Sequence, residues 1–286
     1  MSEMNRLIKE DIITGEKIQE LAYVYCGIKS DFDYNPRIKQ QPHKCLNLEY
    51  LTDSYNNPKI VFCYGYDTLE LILSKLYLFD NPFVLITHNS DTNITEKYNN
   101  MLESDKIIKW ICQNKMYDHP KLYFIPIGIA NSMWSHGNLD TVMNVIQFPS
   151  NKVNNFYFNF SVSTNKSERE PCKNELEKKG LQFNEMSDYH NYLKILSSYK
   201  FAICPPGNGV DCHRIWECYY LGVIPILKRS VFTEQLSHHF PCIILNDWKE
   251  FDTAIILDTY PLLSQQLSET YHKLQLSYYI NEYLKV

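Results

Sequence analysis

Residues 200–229 read KFAICPPGNGVDCHRIWECYYLGVIPILKR and carry the residue types needed to hold an anion. Pro205-Pro206-Gly207-Asn208-Gly209 is a turn-rich loop whose two glycines let the backbone come close to a ligand and can take positive φ. Asp211 is the expected N-cap of a helix that follows, so unpaired amides of its first turn would face the same crevice. Arg214 and Glu217 stand three apart on that helix. They suit either an i,i+3 ion pair or contacts to a ligand. The elements that position these groups are legible too. An apolar run over 201–204 precedes the loop, an amphipathic segment spans 211–221, Gly222 stops it, and a second apolar run covers 223–227. Strand, loop, helix, glycine and strand make a parallel crossover. Open α/β sheets bind ligands at the carboxyl ends of such strands.

The pattern Phe201-x-Ile203-Cys204-Pro205-x-Gly207, then Arg214-x-x-Glu217, then Gly222-x-Ile224-Pro225-Ile226 resembles the exostosin-type glycosyltransferases. About ten positions over roughly thirty residues carry the likeness. Elsewhere it covers mainly domain order. The resemblance implies a GT-B architecture, an α/β fold of two Rossmann-like domains facing across a cleft. It implies that loop amides over Pro206, Gly207, Asn208 and Gly209, with the Asp211 helix start, hold the diphosphate of a nucleotide-sugar donor. It implies that Glu217 binds ribose hydroxyls. A basic residue at the start of the helix near 168–179 binds the diphosphate in such enzymes, which falls here on Arg169. Thr164 and Asn165 precede it, and Arg214 or Lys228 could assist.

Composition sets the bounds. The 286 residues suit two domains of ordinary size, expected at 1–148 (acceptor side, with the linker) and 149–286 (donor side). Hydrophobic content of 44% and charged content of 21% are those of a globular protein with a core. A net charge of −5 argues against nucleic acid as the partner. Nine cysteines, odd in number and without a CxxC pair, fit a reducing compartment rather than a disulfide framework or a zinc site. No signal peptide and no run of ~20 apolar residues is visible, so a cytoplasmic enzyme without a membrane span is expected.

Along the chain, a helix is expected over 15–25, and 31–44 is polar and turn-rich. Asp31-x-Asp33 there resembles a metal-binding DxD but is read as loop chemistry. Strands are expected at 59–64, 83–87 and 122–125, with helices at 68–79, 95–102 and 106–114. Residues 130–149 read as a linker in which Trp134 and His136 are exposed-site candidates. The second half begins with a strand near 156–161 and helices at 168–179 and 188–198. After the organising motif come residues 230–238, a strand over 242–245 and helices to the end, with an amphipathic stretch over 267–284 that could return to the first domain.

Glycosyl transfer by direct displacement needs a stabilised leaving diphosphate, an aimed acceptor hydroxyl and a base. Asp91 and His88 follow the strand at 83–87 on the ligand edge and are the candidate bases, since aspartate is ionised at neutral pH and histidine titrates near it. No HExxH motif, no Cys/His metal spacing and no GxSxG elbow occurs. The expectation is an inverting glycosyltransferase that needs no metal or other cofactor. Its donor would be a UDP-sugar and its acceptor a glycan hydroxyl. The rival readings are a nucleotide- or glycan-binding protein of the same fold and another Rossmann-type enzyme, an epimerase or a dehydrogenase. The lack of an early GxGxxG disfavours the dehydrogenase.

Overall fold

Parallel strands covered on both faces read as continuous apolar runs, and such runs form β-strands at the centre of both sheets of this chain, 83–87 and 224–227 among them. The computed structural model describes residues 7–34, 41–56 and 59–284. Its chain divides into two compact units. One comprises Ile13–Ile127 with the chain from Tyr279 on; the other comprises the chain through Ile12 with Gly128–Tyr278.

The Ile13–Ile127 unit contains helix α1 (Gly15–Glu20), strand β1 (Val24–Gly27), α2 (Lys29–Tyr34), β2 (Cys45–Asn47), β3 (Ile60–Cys63) and α3 (Asp67–Ser74). It continues with β4 (Phe83–Thr87), α4 (Asn99–Leu102), β5 (Ile107–Cys112) and β6 (Leu122–Phe124). The six strands are parallel in the order β2-β1-β3-β4-β5-β6. The order reverses between β1 and β3, a topological switch point. All five residues of β4 are buried, and Leu69, Ile72 and Leu73 of α3 pack into the same core. Residues 106–114 are not helical: 107–112 form β5, paired with β4 on one side and β6 on the other. The helix expected over 15–25 ends at Glu20, and Tyr25 lies in β1. Asp31 accepts the Ile28 amide at 2.8 Å and the Thr68 hydroxyl at 2.6 Å, so its carboxylate ties a turn. The Asp33 side chain and residues 35–40 lie outside the described residues.

The Gly128–Tyr278 unit contains α5 (Leu139–Gln147), β7 (Asn154–Tyr157), α6 (Lys166–Lys178), α7 (Tyr189–Ser197), β8 (Tyr199–Ile203) and α8 (His213–Tyr220). Then come β9 (Ile224–Lys228), α9 (Val231–Ser237), β10 (Ile243–Leu245), α10 (Thr253–Thr270) and α11 (Leu276–Tyr279). Its four strands are parallel in the order β10-β9-β8-β7. Gly222 ends α8 at φ 66°, a left-handed conformation that favours glycine, and Val223 then donates to the Cys218 carbonyl at 2.8 Å. Tyr260 of α10 meets Phe201 of β8 edge-on at 5.5 Å, which packs that helix on the sheet.

The α/β class of two Rossmann-like sheets follows from these topologies. The units divide after Ile127, where the sequence suggested a boundary after 148. The expected linker over 130–149 contains α5, capped by Asn138 and burying Val142, Val145 and Ile146. The amphipathic stretch over 267–284 is broken after Thr270 into shorter turns. Residues 9–12 join the Gly128–Tyr278 unit through Asp11, which accepts the Ser277 amide at 3.0 Å and hydroxyl at 2.9 Å. In the other unit, Lys109 donates to the Tyr283 carbonyl at 3.1 Å. No helix among the described residues is long and apolar enough to cross a membrane.

Candidate functional site

The loop after β8 is held by a thiol. The Gly207 amide donates to Cys212 Sγ at 3.0 Å and to the Gly209 carbonyl at 3.2 Å, and the Cys212 thiol reaches the same carbonyl at 3.5 Å. A side chain on Gly207 would set Cβ 3.1 Å from that sulfur and 3.3 Å from Arg169 Nη2. A side chain at Gly207 would therefore press on both groups that brace the loop. Neither Gly207 nor Gly209 takes a positive φ, which corrects the conformational reason expected for them.

This loop borders a cavity of about 250 Å³ that Asn165, Glu168, Lys228, Ser230 and Thr233 also line. Asn165 Nδ2 donates to the Gly207 carbonyl at 2.7 Å, while Thr164 is exposed in the turn before α6. Arg169 stands in the first turn of α6, half-buried. Its Nε donates to the Pro206 carbonyl at 2.9 Å and its Nη1 to the Ser161 carbonyl at 2.8 Å. Both partners are backbone, and no carboxylate among the described residues pairs with Arg169. Burial pushes its pKa down, the mark of a cation short of water and counter-charge. The other cations are committed: Lys228 pairs with Glu168 at 2.9 Å and Arg229 with Glu234. The clasp on the Pro206 carbonyl fixes the guanidinium, leaving Nη2 at the loop. That arrangement accepts an anion.

Arg169 touches the loop but does not line the cavity itself, and neither do Thr164, Asp211, Arg214 and Glu217. Cys212, not Asp211, is the N-cap of α8, and it caps no amide with its side chain. Asp211 is 2% exposed and accepts the Trp216 indole N–H at 2.6 Å, which draws its carboxylate into the core. Glu217 is 5% exposed. It accepts the Tyr192 hydroxyl at 2.6 Å and sits 3.8 Å from Arg214 Nε, so the i,i+3 ion pair is present. Arg214 Nη1 donates to the Asn159 carbonyl at 2.6 Å, and its guanidinium lies over the Tyr192 ring at 4.8 Å. The sequence reading missed the bracing by Cys212, the Glu168 carboxylate on the cavity wall and Tyr192. Spacing within residues 200–229 holds no signal for Glu168 or Tyr192. Both come from helices that precede it.

The two candidate bases lie in the Ile13–Ile127 unit, after β4. His88 is 1% exposed. Its Nε2 faces the Pro126 carbonyl at 3.0 Å and its Nδ1 the Asn89 amide oxygen at 3.2 Å. A neutral imidazole donates through only one nitrogen, and here both face oxygen. Asp91 is partly exposed. Among the described residues, no three His, Cys, Asp or Glu side chains converge as a metal site.

No family model and no curated protein matches the sequence. Several solved structures resemble the chain, among them the following. A crystal structure of an alpha1,3-fucosyltransferase is 14% identical over 83% of this chain and 73% of that one, with a TM-score of 0.40. A GtfA/B complex is 10% identical over 74% of this chain and 53% of its own, with a TM-score of 0.38. The pneumococcal O-GlcNAc transferase GtfA in complex with UDP and GlcNAc is 11% identical over 79% and 52%, with a TM-score of 0.35. The chain thus spans about half the length of the latter two.

Proposed function

We propose that this chain is a GT-B glycosyltransferase. It moves a sugar from a nucleotide-sugar donor, a UDP-sugar in first place, to a glycan hydroxyl, with inversion and without a metal ion. One observation carries the reading: Arg169, clasped by two carbonyls and unpaired with any carboxylate among the described residues, sits against the glycine loop. Charge grows on the leaving diphosphate in the transition state, and a fixed cation with backbone donors stabilises it there. The donor set is Arg169, Asn165 and the loop Pro206, Gly207, Asn208 and Gly209. Asp211, Arg214 and Glu217 act one layer behind, by keeping α8 and its Cys212 in place. Asp91 takes the acceptor proton, since His88 is buried with oxygens facing both ring nitrogens. Nine free cysteines suit a cytoplasmic setting.

Thermal unfolding against UDP, GDP, CMP and their sugars, with a chelator present, tests this. A ligand that binds the folded state alone at 100 times its Kd adds ~2.7 kcal/mol of stability. One nucleotide family should raise Tm. No shift with any nucleotide in a folded sample would refute the reading. Binding without turnover of the nucleotide sugar would make the protein a non-catalytic binder.

A further inference from the structure

Within the Gly128–Tyr278 unit, four rings gather outside the cavity described above. The loop over 131–137 closes through two turns: Trp134 N donates to the Asn131 carbonyl at 3.0 Å and Gly137 N to the Trp134 carbonyl at 2.9 Å. A Cβ on Gly137 would lie 2.0 Å from the Asn131 carbonyl oxygen, so glycine is required for the closure. The loop presents Trp134, 46% exposed, and His136, also exposed. The His136 ring lies 6.2 Å from Trp134, tilted only 22° to it. It meets His213 at 6.2 Å and Tyr189 at 6.3 Å edge-on. His213 Nδ1 faces the Gly128 carbonyl at 2.8 Å, and a carbonyl only accepts. The neutral ring therefore carries its hydrogen on Nδ1 and its lone pair on Nε2. Below Tyr189, its hydroxyl and Arg214 Nε are both turned to the buried Glu217 carboxylate.

Exposed aromatic faces beside imidazole edges match a ligand with apolar C–H faces and a hydroxyl rim. We propose that Trp134, His136, His213 and Tyr189 form a subsite for a pyranose ring. The proposal rests on the glycosyl-transfer reading for its meaning. Cys212, the residue before His213, holds the Gly207 amide, so subsite and glycine loop share the start of α8. The ring could belong to the donor's sugar or to the acceptor, and the chemistry of recognition is the same.

Saturation-transfer NMR with glucose, galactose, mannose, fucose and N-acetylglucosamine, each alone and with UDP or GDP, tests it, beside titrations of UDP- and GDP-sugars. Wild type is compared with Trp134→Ala and His136→Ala, both at exposed positions, with folding checked by circular dichroism. At least one sugar should show transfer to its ring C–H protons, weakened roughly tenfold by Trp134→Ala, while affinity for the free nucleotide stays unchanged. Transfer to a free monosaccharide marks an acceptor ring; an effect on the nucleotide sugar alone marks the donor's. Equal sugar affinity in both variants and wild type, or no sugar binding in any form, overturns the subsite. Failure of every nucleotide to bind while a free sugar still depends on Trp134 would remove the donor reading and leave the subsite standing.

Discussion

Replacing Arg169 by Lys or Met separates anion binding from folding. The guanidinium spends Nε and Nη1 on the Pro206 and Ser161 carbonyls and keeps Nη2 at the loop. Lysine has one nitrogen, so it cannot hold the carbonyls and a phosphate in the same geometry. A charge-assisted hydrogen bond contributes about 1.5–3 kcal/mol. Its loss should weaken nucleotide binding roughly 10- to 150-fold in Arg169→Met. Arg169→Lys should fall between the two, because charge survives and the fork does not. The unliganded protein should change little in stability. The lost bonds to two carbonyls, about 1 kcal/mol each, are offset by relief of a half-buried cation without a counter-ion. Isothermal titration with the nucleotide that raises Tm most, beside melting of the free proteins, reads both quantities. Wild-type affinity in a folded Arg169→Met protein would refute the reasoning, because no other described residue at the loop supplies an uncommitted cation.

Glu217→Ala strands Arg214 in the core, and breaking a buried pair costs about 3–5 kcal/mol, so Tm should fall by roughly 6–20 °C; a fall under about 2 °C would show that the pair is not buried in solution. Burial pushes the Cys212 thiol up to about 12, so iodoacetamide at pH 8 should leave it unmodified in the native protein and label it only on unfolding, as peptide mass spectrometry would read. Burial lowers Lys152 to about 7, well under the unfolded value of ~10.4. Between those values the unfolded chain binds more protons through this lysine, so its contribution to stability should rise with pH from about 7 toward 10, against the fall above ~8.5 that buried thiols such as Cys212 impose; the difference between wild-type and Lys152→Met melts across the range should show that rise. Asp91→Asn should reduce turnover by roughly 10²-fold or more with nucleotide affinity unchanged, and full activity would remove Asp91 as the base.

The β8–loop–α8–β9 module was readable because its apolar runs, glycines and amphipathic helix all point to one local structure. The 107–112 segment was not. Ile107, Trp110 and Ile111 fit helical spacing as well as a strand, and pairing with β4 and β6 decides between them. The four residues of β1 follow α1 too closely to stand out as a strand of their own. At the site, residue types were legible and partners were not. Asp211 looked like a cap because nothing local announces that Trp216 takes its carboxylate. Arg169 was placed near the diphosphate by resemblance, yet its clasp on a carbonyl 37 residues away belongs to tertiary structure alone.

Each unit borrows a piece from the opposite end of the sequence, which has a consequence for birth rather than for action. Domains generally fold in order as they emerge during synthesis, at ~5–20 residues per second. Lys109 and the Tyr283 carbonyl it meets are 174 residues apart, so that contact waits roughly 10–35 s after Lys109 is made. Asp11 waits longer still for Ser277, 266 residues on. The nascent chain therefore carries two half-finished units at once. Cutting the coding sequence at 127/128 should yield two fragments that each miss a strap, and co-expression of both should recover what neither achieves alone.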